Sequence, residues 1–154
     1  MRTISKALLL LPVVGLLAGG LRLEVRNPAA NPEARAQGAA LVARMTACQS
    51  PEKTNVMATA EGVVDGKHRT IPLHVIPLST PGTFVVTREW PTEGSWAVKL
   101  VATNPDYKNY ATGVLVRMEA NGFDWAGVRH FYHAPTPDEV NAALSRPEPI
   151  VAHR

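Results

Sequence analysis

The sequence predicts an all-β fold, a seven-stranded antiparallel immunoglobulin-like sandwich with a short C-terminal α-helix. Short runs rich in β-branched and aromatic residues recur over about 95 residues. Several of these runs alternate apolar and polar positions, which is the period of a strand with one buried face. Turn-forming pairs such as Asp65-Gly66 and Asn121-Gly122 separate them. The chain of 154 residues is long enough for one domain with a hydrophobic core.

The first three strands are predicted over residues 39–48, 55–64 and 68–78. The third of these contains Pro72 and Pro77. A proline has no N–H to donate to a neighbouring strand, so we expect this strand to lie at a sheet edge for part of its length.

The centre of the sequence predicts a β-hairpin made of residues 83–90 and 95–104. In its loop, Pro91-Thr92-Glu93-Gly94, the proline fixes φ at a value that suits a turn and the glycine tolerates positive φ. Trp90 and Trp96 then lie near each other across the turn. They are the candidate binding residues of the sequence, with two alternatives: packing at one end of the sandwich, or an exposed aromatic platform for a ligand.

The last two strands are predicted over residues 110–119 and 125–133. The run Asp106-Tyr107-Lys108-Asn109-Tyr110 leads into the sixth strand, where an immunoglobulin-like sandwich places the tyrosine of its corner motif, and Tyr110 is assigned this role. The disulfide and core tryptophan of antibody domains have no counterpart in this sequence.

Residues 135–154 are predicted to form a short helix and a tail. Thr136 and Glu139 have the spacing of a capping box, and Pro137 suits the first helical position. The helix, predicted over residues 140–145, is too short to be stable alone, so its apolar side must pack on the sandwich.

The N-terminal region is predicted to direct export. Arg2 and Lys6 precede an apolar run over residues 7–21, which is typical of a signal peptide and short for a membrane-spanning helix. If the run is not cleaved, it remains as an N-terminal membrane anchor.

The segment between the leader and the sandwich has no core-forming pattern. Residues 22–37 are therefore predicted to be an Ala/Pro-rich spacer, followed by the sandwich over residues 38–134. Cleavage could follow Ala34-Arg35-Ala36 or Ala18-Gly19-Gly20.

The charge distribution excludes nucleic acid as a partner. The formal net charge is +3, but residues 37–154 contain eleven Lys/Arg and eleven Asp/Glu. These charges are interspersed and do not form a basic patch. An exported protein or a glycan is the partner that this composition allows.

Cys48 is the only cysteine, so the chain cannot form an internal disulfide. A buried inert thiol, pairing with another chain and metal binding are the open alternatives. A periplasmic copper-type site would combine Cys48 with Met45 or with a histidine such as His130, because thiolate and thioether ligands favour Cu(I).

No catalytic pattern is present. Cys48 lacks a local nucleophile signature, the sequence has no Gly-x-Ser-x-Gly elbow, and Glu89 and Glu93 flank an exposed turn. We expect a protein that is not an enzyme and needs no cofactor.

The run from Ser79 to Leu100, STPGTFVVTREWPTEGSWAVKL, resembles a hairpin of small exported bacterial immunoglobulin-like modules. YtkA-like and carboxypeptidase-regulatory-like domains are examples. The resemblance implies a sandwich that serves as a structural, adhesive or metal-related accessory. The methionine and histidine motifs of the copper-associated members do not appear here in matching form.

Overall fold

The fold is a two-layered β-sandwich with one helix packed on its outer side. The computed structural model describes residues 20–119 and 122–145. Within these ranges ten strands form two antiparallel sheets, where the sequence predicted seven. The strands are β1 (Arg22–Arg26), β2 (Ala39–Thr46), β3 (Asn55–Val64), β4 (Lys67–Pro72), β5 (Val75–Pro77), β6 (Thr83–Thr87), β7 (Ser95–Thr103), β8 (Ala111–Glu119), β9 (Gly122–Phe123) and β10 (Arg129–Phe131). The α-helices are α1 (Pro32–Ala36) and α2 (Pro137–Leu144).

The smaller sheet has the strand order β1-β2-β6-β5, and the larger has the order β10-β8-β7-β3-β4 with β9 paired to β8. Apolar side chains from the facing sides of both sheets form the core. Leu23 and Leu41 of the smaller sheet and Val98, Leu100 and Val114 of the larger sheet are completely buried there. The alternation along β7 places Trp96, Val98, Leu100 and Ala102 on this inward face.

The predicted central hairpin is wrong. β6 pairs with β2 and β5 in the smaller sheet, whereas β7 pairs with β3 and β8 in the larger one. The segment 88–94 therefore crosses from one sheet to the other. Alternation along a strand shows which side is buried but not which strand is its partner, and a short Pro/Gly loop allows either connection.

The predicted third strand is divided between the sheets. β4 pairs with β3 at the edge of the larger sheet, and β5 pairs with β6 at the edge of the smaller one. The chain changes sheet at Leu73, whose N–H donates to the Ala58 carbonyl at 3.0 Å. Pro72 and Pro77 thus lie on edge strands, which confirms the prediction made from their missing N–H groups.

The prediction of a spacer over residues 22–37 is also wrong. β1 forms an edge of the smaller sheet, and its Leu23 is completely buried opposite Met45. Leu21 is 6% exposed and belongs to the same core, and Ala34 of α1 is fully buried in a smaller cluster. The strand escaped prediction because only one of its five side chains is fully enclosed. Most of the predicted leader, residues 1–19, lies outside the described residues.

The prediction of the C-terminal helix is confirmed, with its start at Pro137. The Thr136 N–H donates to Glu139 Oε2 at 2.8 Å, and the Glu139 N–H donates to Thr136 Oγ1 at 3.3 Å. Val140 and Ala143 of α2 pack on Leu115, on the outer face of the larger sheet. The rest of the predicted tail, residues 146–154, lies outside the described residues.

A polar corner precedes β8, but its tyrosine is not the predicted one. Tyr110 is 69% exposed, which contradicts the corner role assigned to it. Tyr107 is half-buried, and its hydroxyl accepts a hydrogen bond from the Gln49 N–H at 3.3 Å. Asn104 is buried at the centre of this corner and donates to the Ser50 carbonyl at 2.8 Å.

None of the helices among the described residues has the length and apolar character needed to cross a membrane.

Candidate functional site

A cavity of about 590 Å³ opens at the end of the sandwich where the chain crosses between sheets. We call it the end cavity. It is bounded by the crossing segment, the first residues of β7, the end of β8 and the start of β9. Its lining residues are Arg88, Trp90, Pro91, Thr92, Gly94, Ser95, Trp96, Arg117, Met118, Glu119 and Gly122. This volume lies within the range of about 300–1,000 Å³ that small-molecule sites occupy.

Trp90 and Trp96 form the buried base of the end cavity. Their side chains are 4% and 3% exposed, so they pack in the core and do not form an exposed platform. Of the two alternatives of the sequence analysis, the structure shows packing at one end of the sandwich, and both packed rings also line the cavity.

Trp96 is fixed by its neighbours on β3 and in the crossing segment. It pairs with Gly62, and a Cβ placed on Gly62 would lie 2.3 Å from Cε3 of the indole. The absence of a side chain at this position therefore lets the ring lie flat against β3. The indole Nε1 donates to the Glu93 carbonyl at 2.7 Å, which closes the turn.

Trp90 differs from Trp96 in its hydrogen bonding. Its Nε1 is buried and has no hydrogen-bond partner among the described residues. A buried N–H without an acceptor costs about 1–3 kcal/mol of stability. An acceptor that reached this enclosed N–H would recover part of that free energy.

Arg88 covers one side of Trp90. Its guanidinium carbon lies 5.7 Å from the centroid of the Trp90 ring system, within the range of cation–π contacts. Its Nε makes a long hydrogen bond of 3.5 Å to the Trp90 carbonyl. Arg88 forms no ion pair with any residue that the structure describes. This residue therefore presents a positive charge at the cavity.

A second cavity of about 540 Å³ adjoins the first around Trp90. Arg88, Trp90, Met118 and Gly122 line both. Phe123 contacts Trp90 edge-on, with ring centroids 5.9 Å apart, and Trp125 follows at 5.2 Å from Phe123. All three tryptophans of the chain therefore lie at this end of the sandwich.

Each residue of the predicted copper-type site has its own contacts in the structure. Met45 is 4% exposed in the core. Cys48 is partly buried and accepts a hydrogen bond from Asn104 Nδ2 at 3.3 Å. His130 Nδ1 lies 3.1 Å from the Leu23 carbonyl oxygen on β1. In residues 20–119 and 122–145, no group of three His, Cys, Asp or Glu side chains could hold a metal ion. Metal binding by Cys48 stays a prediction.

A buried ion pair on the outer face of the larger sheet was not predicted. The side chain of Glu61 is 4% exposed, and its Oε1 lies 2.8 Å from Lys99 Nζ. Thr59 Oγ1 donates to Oε1 at 2.7 Å and Thr70 Oγ1 donates to Oε2 at 2.6 Å. Burial raises the pKa of the Glu61 carboxyl, but the Lys99 ammonium and the two hydroxyls outweigh it and leave the pKa below its ordinary value.

This ion pair faces α2 across a shallow cavity of about 470 Å³. Val140 of the helix and His68 of β4 also line it. Every oxygen of Glu61 is satisfied by a side chain of the sheet, so the arrangement orients Lys99 and stabilises the sheet beneath the helix.

Sequence reasoning named Trp90 and Trp96 but missed Arg88 as a site residue. It also missed the contribution of Arg117, Met118 and Glu119 at the end of β8. These residues stand more than 20 positions from Trp96 in the sequence. Only the pairing of β7 with β8 brings them to the same end, and no local pattern encodes that pairing.

No protein-family model, curated protein or solved structure matches this chain significantly. The resemblance to YtkA-like and carboxypeptidase-regulatory-like modules therefore stays a prediction.

Proposed function

We propose that this protein is an exported, non-catalytic β-sandwich module that binds a ligand in the end cavity. The observation that carries the proposal is the buried Trp90 indole, whose N–H lacks an acceptor among the described residues, at the base of a cavity of ligand size. Buried donors in folded proteins are nearly always paired, so an exception beside a cavity indicates a site that a ligand completes.

The surroundings of Trp90 support a binding role. The exposed residues Thr92 and Ser95 contribute hydroxyl groups to the wall, and Arg88 contributes a positive charge without an ionic partner in the described chain. The accessible wall of the end cavity is more polar than that of a typical small-molecule site, which supports a polar ligand. A glycan or a segment of an exported protein would be the ligand.

Export is proposed from the basic and apolar N-terminus. The burial of Leu21 and the pairing of β1 support a processing position near Ala18-Gly19-Gly20. Cleavage after Ala36 would remove β1 and α1 together, and with them the buried Leu23.

Intrinsic fluorescence tests the binding proposal, because every tryptophan of the chain lines the end cavity or the second cavity beside it. The full chain would be titrated with maltose, cellobiose, digalacturonate and the blocked peptide acetyl-Ala-Ala-amide. We expect at least one probe to change the emission saturably at millimolar concentration. The variant Thr92→Trp fills the mouth of the end cavity and should abolish the change.

Thr80→Trp is the matched control, because Thr80 is exposed in the turn before β6 and does not line the cavity. It should leave the titration unchanged apart from its own constant emission. If no probe changes the emission, or if Thr92→Trp responds like the parent, the proposed site is wrong.

A further inference from the structure

The charge of the end cavity restricts the class of ligand. Two arginines, Arg88 and Arg117, and one acid, Glu119, line it. Arg88 is exposed, and its two terminal nitrogens have no acceptor among the described residues. A guanidinium presents its N–H groups as a planar fork that matches both oxygens of a carboxylate. The cavity therefore favours an anionic ligand.

The remaining wall favours a ligand with many hydroxyl groups. Thr92 and Ser95 offer hydroxyls that donate or accept, and both are exposed at the rim. Trp90 and Trp96 also line the cavity, but their side chains are only 4% and 3% exposed, so the accessible wall is mainly polar. A mainly polar wall suits a sugar ring with many hydroxyl groups better than a small inorganic anion.

The position of the cavity does not suit an extended peptide. Peptides that add to a sheet need a free edge strand several residues long. The strand at this wall with a free edge, β9, has two residues, and the longer edge strand β4 does not line the cavity. Among the described residues, a peptide would therefore find no free edge strand of several residues to pair with at this cavity.

From these three observations we propose that the end cavity takes a carboxylate-bearing saccharide. Arg88 pairs with the carboxylate, and the hydroxyl groups of the ring contact Thr92 and Ser95 at the rim. This inference rests on the proposed binding function and specifies the ligand of the same site.

Calorimetric titration of the full chain with matched probes tests it. The probes are α-1,4-digalacturonate, α-1,4-galactobiose, in which neutral hydroxymethyl groups replace the carboxylates, and succinate, which has carboxylates but no sugar. We expect digalacturonate to bind at least tenfold more tightly than either of the others, since hydrogen bonds to charged groups are the stronger ones. Arg88→Gln should weaken digalacturonate binding at least tenfold.

Arg44→Gln is the matched control. It makes the same change of charge on β2, five residues along the strand from the end that contacts the second cavity. It should leave the dissociation constant within twofold of the parent value.

The outcomes separate the two proposals. Equal binding of digalacturonate and galactobiose, or no effect of Arg88→Gln, would overturn the assignment of an acidic ligand while leaving the binding site intact. Equal binding of succinate would overturn the saccharide assignment. If none of the three probes binds while maltose, cellobiose or the blocked peptide still changes the tryptophan emission, the ligand class is wrong. If no probe of either set has an effect, the proposed function fails with it.

Discussion

Trp96 on β7 lies flat against Gly62 on β3, so closely that a Cβ on Gly62 would come within 2.3 Å of the indole. The same indole donates to the Glu93 carbonyl at 2.7 Å. One aromatic side chain thus connects the larger sheet to the crossing segment that forms the end cavity.

Gly62→Ala should destabilise the fold, because the added methyl group collides with the rigid Trp96 ring. We expect a loss of about 1–3 kcal/mol, typical of overpacking in a core, measured by urea denaturation. In a Trp96→Leu background the same substitution should cost at least 0.5 kcal/mol less, since neighbouring residues couple. Equal costs in the two backgrounds would contradict the contact.

The two cavity tryptophans should respond differently to loss of the indole N–H. Trp96→Phe removes a hydrogen bond of 2.7 Å, whereas Trp90→Phe removes a donor with no acceptor among the described residues. Both substitutions lose ring volume, and phenylalanine keeps an aromatic face for the Arg88 and Phe123 contacts of Trp90, so the hydrogen bond is the main difference between them. We expect Trp96→Phe to reduce the free energy of unfolding by about 1 kcal/mol more than Trp90→Phe. A larger loss of unfolding free energy in Trp90→Phe than in Trp96→Phe would contradict the assignment of the hydrogen bond to Trp96 alone.

Removing one partner of the Glu61–Lys99 ion pair should destabilise the fold. Lys99→Met leaves a carboxylate with a 4% exposed side chain without its cation, and we expect a loss of about 3 kcal/mol in denaturation at pH 7. The paired change Glu61→Gln/Lys99→Met should recover much of that loss. A double variant as unstable as Lys99→Met alone would show that the unpaired charge is not the cause.

Glu61 should also add to the pH dependence of stability. The pKa of Glu61 in the folded state lies below the ordinary value of 4.5. The ionised carboxylate therefore contributes its full stabilisation at pH values above 4.5. The contribution is lost as the pH falls below 4.5 through the folded-state pKa, because the unfolded chain then binds the proton first. Glu61→Gln should flatten the stability curve in this acid window relative to the parent. If stability falls equally steeply with decreasing pH in the parent and in Glu61→Gln, Glu61 is not a source of this pH dependence.

Removal of β1 should weaken the domain strongly. Leu21 and Leu23 are buried, and each buried leucine side chain stabilises a fold by about 1.5–3 kcal/mol. A chain that starts at residue 37 should therefore melt well below one that starts at residue 20, or fail to fold. The single change Leu23→Ala should cost about 2–5 kcal/mol, whereas Arg22→Ala on the exposed side should cost little. Equal melting of the two chains would restore the spacer interpretation.

The sequence was informative where local physics decides the outcome. The Thr136–Glu139 capping box predicted the helix start, and Pro72 and Pro77 predicted edge strands, because each depends on groups a few residues apart. Pairing between distant strands has no such local cause. The crossing of residues 88–94 between sheets and the proximity of Arg117 to Trp96 therefore emerged only from the structure.

The most direct test of the central claim is the indole resonance of Trp90 in ¹H–¹⁵N correlation spectra of the full chain. The spectrum should show three indole signals, assigned by the Trp90→Phe, Trp96→Phe and Trp125→Phe variants. Saturation with digalacturonate should move the Trp90 signal most and downfield, as its N–H gains an acceptor, while the Trp96 signal, already bonded to Glu93, moves less. An unchanged Trp90 signal at saturation, with binding confirmed by calorimetry, would contradict the claim that the ligand completes this site.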